Sequence, residues 1–263
     1  MDNKKEFWKY DTKPLYYISI LIASYNTGAT FVKECLLSIE KQLGNFGVEL
    51  VWIDDGSFEL NSKTLITYLS TFRNGKKNFK IKYYKFDENK GLSHSLNYGI
   101  KLCSNELIFR MDSDDIMMPT RLFKQLAFML ENKECVLCGT GIIPFVESNE
   151  STTYYKAERE HPEILTWEEY KQTKHTWLLN HPTLCFKKSA VLSVGNYDPN
   201  LKLPFEDLDL ELKMLKKYGV IYNLQENLLL YRIHNRQITH QNRNNSKEHN
   251  EIKIQLIENL INS

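Results

Sequence analysis

The sequence predicts an α/β domain built on a mostly parallel sheet flanked by helices, with a helical tail at the C-terminal end. Three observations carry this. Short apolar, β-branched runs recur along the first 112 residues, segments of helical periodicity lie between them, and three of the runs end abruptly in polar or acidic residues. Alternation at this rhythm argues for parallel strands joined by right-handed crossovers.

Tyr17 to Ala23 (YISILIA) reads as a buried strand, bounded by Ser24, Tyr25, Asn26 and Gly28. Thr30 is placed to cap a helix in which Val32, Cys35, Leu36, Ile39 and Leu43 recur at helical spacing, with Gly44 as its stop. Val48 to Ile53 is a second buried strand, ending in Asp54, Asp55, Gly56 and Ser57, and Lys63 to Phe72 reads as the next helix. Phe79 to Phe86 alternates as a third strand. Gly91 to Cys103 reads as a helix with Leu92, Leu96, Ile100 and Cys103 facing inward, and Leu107 to Met111 is the fourth strand.

That fourth strand runs into Asp112, Asp114 and Asp115 within the stretch LIFRMDSDD. Carboxylates two residues apart on an extended strand end point the same way, so Asp112 and Asp114 converge on one site. Such oxygen ligands suit Mg2+ or Mn2+, which keep open positions for water and phosphate. In isolation the same stretch also reads as a solvated acidic turn before a helix. In parallel sheets, however, ligands bind beyond the carboxyl ends of strands. Ser24, Tyr25 and Asn26, then Asp54 and Asp55, then the acidic triplet all fall there. The reading is a nucleotide site, with Tyr25 as a stacking face and Asp55 as an acceptor for a base N–H or a ribose hydroxyl. Glycine motifs of the Walker or GxGxxG kind are absent, which leaves the diphosphate mainly to the metal.

A formal charge of +1 over 263 residues gives no indication of a nucleic-acid surface. No run approaches the roughly 20 apolar residues of a membrane span, and MDNKKEFWKYDTK lacks a signal-peptide core, so the expectation is a cytoplasmic chain. Five cysteines, an odd number, fit reduced thiols. Cys135 and Cys138 form a CxxC inside an apolar run with no second pair, which reads as buried packing rather than a zinc or redox site.

Taken in order, ILIASYN, SIEKQ, WIDDGS, NKGLSHSLNYGI, RMDSDDIMMPTRL, NHPT, FEDLDLELKML and YRIHNRQIT resemble a family 2 glycosyltransferase of the GT-A fold, a Rossmann-like architecture, over residues 17 to 240. DSDDIMMPTRLFKQ is similar to members that build surface polysaccharides. The resemblance implies an inverting, metal-dependent transfer from a nucleotide sugar, with a UDP-sugar favoured, to a glycan or lipid-linked saccharide. It implies that Ala23, Tyr25 and Asp55 line the base pocket with Asp54 nearby, and that Asn89 and Asn97 border the donor. Asn26 and Ser113 join them on the donor side. Asp112 meets the ribose or sugar, Asp114 is the principal carboxylate ligand of Mn2+ or Mg2+, and His234 reaches the same ion or its diphosphate. Asp207 matches the general base, and a single base means no glycosyl-enzyme intermediate.

Read alone, Glu206 and Asp207 are helix-capping acids, and His234 and His181 are surface or structural histidines. The ordered set is what raises Asp114, Asp207 and His234 above those readings. The chain departs from the family pattern at Ala23, at Phe58-Glu59 and at Lys213, where arginine is common and its planar fork is lost.

The expected organisation is a catalytic domain over residues 1–240, with a nucleotide-sugar half at 15–118 and an acceptor half at 119–240. Residues 241–263 form a linker and an amphipathic helix carrying Ile252, Leu256, Ile257, Leu260 and Ile261, which docks on the domain, on a second subunit or on a membrane surface. Acceptor recognition is placed between 145 and 205, in the polar loop SNESTTYYKAEREH and at Trp167, Tyr170, Trp177 and His181, with Glu206 beside it. Two rival readings are a nucleotidyltransferase, whose N-terminal phosphate loop is missing here, and a non-catalytic sugar-nucleotide binding or scaffold protein.

Overall fold

The computed structural model describes residues 14–73, 78–148, 151–157, 161–174, 177–201, 205–235, 237 and 246–262. Strand and helix alternate first: β1 (Tyr16–Ser24), α1 (Ala29–Glu40), β2 (Phe46–Asp54), α2 (Glu59–Arg73), β3 (Phe79–Lys85), α3 (Leu92–Leu102) and β4 (Leu107–Asp112). Then come β5 (Ile116–Met117), α4 (Arg121–Glu131), β6 (Leu137–Glu147), β7 (Thr152–Tyr154), β8 (Ile164–Thr166) and α5 (Trp167–Thr173). A 3-10 turn (His181–Thr183), β9 (Cys185–Lys187), α6 (Lys188–Ser193), α7 (Glu206–Tyr218), β10 (Val220–Arg232) and α8 (Ser246–Asn262) complete the described chain.

The sheet order is β3-β2-β1-β4-β9-β6-β10-β5, with β7 on β6 and β8 on β10. The four N-terminal strands are parallel, whereas β9 joins antiparallel to both β4 and β6. Register matters for the site. Ser24 pairs with Asp54 and Ala23 with Asp112, so the polar ends of β1, β2 and β4 lie side by side at one sheet edge.

Both faces of this sheet are covered, which is why its strands read as continuous apolar runs. Ile18, Ile20, Ile22, Leu50 and Trp52 form one core with Val32, Leu36 and Ile39 of α1 and Leu122, Leu126 and Met129 of α4. Leu21, Val51 and Ile53 form the other with Leu96 and Ile100 of α3 and Leu208, Leu212 and Leu215 of α7. Each such side chain stabilises by about 1.5–3 kcal/mol on full burial. At Gly99 a Cβ would stand 2.2 Å from Leu21 Cδ1, so α3 packs closely over the Leu21 side chain of β1 and a larger residue there would have to displace it.

Several boundaries differ from expectation. Gly28, not Thr30, is the N-cap of α1, with no side-chain capping bond, and the helix ends at Glu40 rather than at Gly44. α2 starts at Glu59, four residues before the expected Lys63. The polar loop after Val146 is partly a hairpin, because Phe145, Val146 and Glu147 pair antiparallel with Tyr154, Thr153 and Thr152. All five cysteines are free and buried, as expected for Cys135 and Cys138.

Of the expected C-terminal segment, residues 241–245 lie outside the described residues, and α8 packs on the domain. Ile257 is buried in the core that contains α7, Ile252, Leu256, Leu260 and Ile261 pack against it, and Lys216 Nζ donates to the Leu260 carbonyl at 2.8 Å. Among the described residues, no helix is long and apolar enough to cross a membrane.

Candidate active site

The acidic triplet converges by a different route from the one expected. β4 stops at Asp112 and Ser113-Asp114 form a turn, so the three carboxylates meet around a bend rather than along a strand. Ligand atoms of Asp112, Asp114 and Asp115 all lie within 4.8 Å of one another. Such a density of negative charge needs nearby cations, and two buried arginines supply them.

Arg110, 2% exposed, forks onto Asp112, its Nη1 donating to Oδ2 at 2.9 Å and its Nη2 to Oδ1 at 2.5 Å. Residues two apart on a strand share a face, which is how β4 places the guanidinium beneath its own terminal carboxylate. Arg232, at the end of β10, gives its backbone N–H to Asp115 Oδ1 at 2.9 Å and its Nε to the Asp114 carbonyl at 2.7 Å. The same guanidinium pairs with Glu34 and Glu147 and lies between the rings of Phe31 and Phe145, 4.3 and 4.6 Å from their centroids. Two residues further on, His234 Nε2 is 2.8 Å from Asp114 Oδ2, and its ring packs against Phe31.

Burial and the charges of its neighbours push the Asp115 carboxyl well up, and its Oδ2 is buried without a partner. The Cys35 thiol is also pushed well up, by burial and then by Asp115, Asp114 and Asp112, so no thiolate competes at this cluster. Hard carboxylate oxygens and one imidazole make a donor set that fits Mg2+ or Mn2+ better than a thiophilic metal.

The neighbouring loops are stitched by the polar residues expected here, not all in the expected sense. Asp54 is 0% exposed: it accepts from the Ser57 N–H, the Ser62 hydroxyl and the Tyr83 hydroxyl. It therefore holds the turn after β2 and does not reach a donor surface. Asp55 accepts from the backbone N–H of Lys90 and of Gly91 and from the Asn89 amide, clasping the loop before α3. Gly56 permits that clasp, with φ +74° and a Cβ position only 2.3 Å from the Glu88 carbonyl carbon. Asn26, at φ 52°, takes its N–H to Ser57 Oγ and accepts from the Phe58 N–H, so its polar groups join two loops. Asparagine tolerates this left-handed backbone. Ser113 and Thr27 share a hydroxyl hydrogen bond of 2.7 Å. Tyr25 is 49% exposed and Ala23 is half-buried, so both remain open toward the sheet edge.

Asn97 does not border this opening through its amide. Its Nδ2 donates to the Tyr197 carbonyl and its Oδ1 accepts the Tyr197 N–H, which ties α3 to the loop before α7. Tyr197 Oη in turn lies 2.9 Å from His181 Nε2. Burial and the Arg110 charge push that imidazole well below its ordinary range, so His181 is a neutral packing partner.

The start of α7 carries the second group of acids. Phe205 is its N-cap, and Asp207 Oδ1 accepts the Leu208 N–H at 2.7 Å. Burial raises the Asp207 carboxyl, opposed by that N–H, by Arg110 and by Lys253. Burial and the adjacent Asp207 charge push Glu206 up to about 7. One turn on, Glu211 is 2% exposed and accepts from the Leu179 N–H, with its other oxygen buried and unpartnered; burial and then the Asp207 charge push its carboxyl well up. Lys213 pairs with Asp209 at 2.7 Å and donates to the Asn196 carbonyl, so it braces the loop. The Trp177 ring, 43% exposed, has Lys253 Nζ 4.7 Å from its centroid.

Arg110, Arg232 and Glu211 were missed by sequence reasoning. Arg110 left one signal: a cation inside an apolar strand, two residues before an aspartate, needs a buried partner. Glu211 left none, since a glutamate in an amphipathic helix reads as solvated.

Comparison with known proteins agrees with this architecture. The family model described as Glycosyl transferase family 2 matches residues 19–192. A Haemophilus influenzae protein described as an uncharacterized glycosyltransferase is 30% identical over 219 residues, covering 82% of this chain and 76% of its own. The Escherichia coli UDP-Gal:alpha-D-GlcNAc-diphosphoundecaprenol beta-1,3-galactosyltransferase is 30% identical over 198 residues, covering 75% of this chain and 67% of its own. S. aureus TarS 1-349 in complex with UDP-GlcNAc superimposes with a TM-score of 0.70 at 18% identity, covering 93% of this chain. This chain spans 66% of that TarS chain, and the likeness is one of fold, GT-A. With the family match extending over more than half of its residues, the chain belongs to glycosyl transferase family 2 and is a glycosyltransferase.

Proposed function

We propose that the chain transfers one sugar, with inversion, from a nucleotide sugar to a glycan or lipid-linked saccharide, and that the donor is a UDP-sugar. The observation that carries this is the meeting of Asp114 and His234 at 2.8 Å, beside the sheet edge that presents Tyr25 and Ala23. Support for the donor class comes from the relatives: one is described by a UDP-galactose donor and a diphosphoundecaprenol acceptor, and TarS carries UDP-GlcNAc on the same fold.

In this reading Asp114 and His234 hold a Mn2+ or Mg2+ ion, with Asp115 behind them. Such an ion, when bound, neutralises the leaving diphosphate as a Lewis acid. Arg110 keeps Asp112 oriented toward the ribose or sugar, and Tyr25 stacks on the base. Asp55 acts chiefly by fixing the loop at Asn89, because three of its acceptor positions are already filled.

Asp207 is assigned as the general base. Its carboxyl is raised by burial, which brings it closer to the working pH and makes it a stronger proton acceptor when ionised. The acceptor hydroxyl gives its proton to Asp207 as the oxygen attacks the anomeric carbon, opposite the departing diphosphate. Glu206, pushed up to about 7, shares the charge of the pair, so the two acids titrate together.

The reading is tested by incubating the protein with UDP-, GDP- and dTDP-sugars and measuring nucleoside diphosphate release with Mn2+, with Mg2+ and with EDTA. Release from one donor, abolished by EDTA, is the expected result. Release of equal size in EDTA removes the metal, and binding of a nucleotide sugar without any release on adding saccharide acceptors favours a binding protein.

A further inference from the structure

The guanidinium of Arg232 joins three separate parts of the chain. The residue is 1% exposed, and each of its three side-chain nitrogens has an acceptor. Nε donates to the Asp114 carbonyl at 2.7 Å, Nη2 to Glu34 of α1 at 2.5 Å, and Nη1 to Glu147 at the end of β6. The backbone N–H of the same residue holds Asp115 Oδ1 at 2.9 Å. Phe31 and Phe145 pack on the guanidinium, their ring centroids 4.3 and 4.6 Å from Cζ.

We propose that Arg232 is a positioning residue that sets the Asp114–His234 pair and couples it, through Glu147, to the β6–β7 hairpin. The inference rests on the assignment of Asp114 and His234 as metal ligands for its catalytic meaning, whereas the coupling of hairpin to acidic turn stands on the contacts themselves.

Both members of the pair are held from this one side chain. Asp114 is fixed at its carbonyl, which sets the turn from which its carboxylate reaches His234 Nε2 at 2.8 Å. His234 is fixed through Phe31, whose ring packs on the guanidinium on one hand and lies 5.2 Å from the imidazole centroid on the other. Gln237 adds a further tie: its Nε2 donates to the Arg232 carbonyl at 2.5 Å and its Oε1 accepts the His234 N–H at 3.2 Å.

The other end of the fork reaches the hairpin, in which Glu147 pairs with Thr152. That hairpin lies in the stretch where the sequence places acceptor recognition, so a shift of Glu147 is carried to the metal turn. Geometry matters here more than charge. The Glu34 and Glu147 side chains are 31% and 35% exposed, where an ion pair contributes little by attraction alone. A guanidinium is planar and aims its donors in fixed directions, so it holds partners from three elements at set mutual angles. An ammonium keeps the charge but offers all its donors from one nitrogen.

The test is calorimetry with Mn2+ on the full chain and on R232K and E147A. R232K keeps the charge and loses the fork, and its Mn2+ affinity should fall by roughly 10–100-fold, the usual cost of losing an outer partner of a metal site. In UDP release, the Mn2+ concentration for half-maximal rate should rise by a similar factor while the rate at saturating Mn2+ is largely kept, a split that a general loss of stability does not produce. E147A acts from the hairpin side and should weaken Mn2+ binding by roughly two- to thirtyfold. Native Mn2+ affinity in R232K overturns the positioning role, and native affinity in E147A overturns the coupling. Amide hydrogen exchange gives a readout without metal: E147A should speed exchange at residues 113–116 as well as in the hairpin, and a change confined to the hairpin overturns the coupling. Should R232K not fold, E147A decides by the same two measurements. If the native chain binds no Mn2+ while E147A loosens residues 113–116, the metal-ligand assignment fails and the Arg232 coupling stands. If the native chain binds Mn2+ and both variants match it, it is the Arg232 proposal that fails.

Discussion

His234 Nε2 lies 2.8 Å from Asp114 Oδ2, although the two residues are 120 positions apart. The contact closes the site: β4 supplies the acidic turn and the segment after β10 returns the imidazole to it. Asp114→Ala and His234→Ala should each weaken Mn2+ binding by more than the roughly 10–100-fold that losing an outer partner of a metal site costs. Donor affinity measured with Mn2+ should fall in parallel. Calorimetry with Mn2+ alone, then with Mn2+ and UDP, checks this, and unchanged Mn2+ affinity in either variant removes that residue as a ligand.

Asp207→Asn should lower kcat by roughly 10²–10⁴-fold, the usual contribution of a positioned base. Donor binding should be kept, because the amide can still accept the Leu208 N–H. Comparison of kcat with the calorimetric affinity for UDP separates the two, and a variant that turns over normally is not missing its base.

Glu206 sets a pH dependence of stability. Its carboxyl is pushed up to about 7 by burial and by Asp207, so it binds its proton more tightly folded than unfolded. Its stabilising effect is therefore complete below the ordinary carboxylate range and is lost as pH rises toward about 7. Glu206→Gln should flatten that slope and be more stable than the native chain at pH 8 by on the order of 1–3 kcal/mol. Urea unfolding at pH 5 and pH 8 reads it, and an unaltered slope assigns the titration elsewhere.

Gly56→Ala puts a Cβ 2.3 Å from the Glu88 carbonyl carbon at a left-handed backbone position. It should cost about 1–3 kcal/mol of stability and loosen the three hydrogen bonds by which Asp55 holds the loop at 89–91. Weaker donor binding should accompany the lower melting temperature. Native donor affinity in a destabilised variant would show that this loop is not part of the donor site.

The parts of the site that the sequence made legible are those built from local pattern. The strand ends at Asp54 and Asp112 were visible because apolar runs cannot continue through carboxylates, and the helices α1, α3 and α7 because their apolar positions repeat at helical spacing. What stayed hidden depends on pairing across long stretches of chain. Nothing near Asn97 signals that its amide clasps Tyr197, and nothing near Arg232 signals that it serves Glu34, Glu147 and the Asp114 carbonyl. The pair Asp54-Asp55 exposes the same limit: adjacent acids at a strand end point to opposite sides, and only the packing of Tyr83 and Ser62 decides that Asp54 is the inward one. The antiparallel entry of β9 between β4 and β6 was equally beyond a reading that extended the parallel rhythm.

The central claim is metal-dependent glycosyl transfer from a nucleotide sugar. Its most direct test is UDP release from a UDP-sugar panel in Mn2+, with EDTA and Asp114→Ala as the two controls. The account predicts release from one donor that both controls abolish. Release that survives both would contradict it.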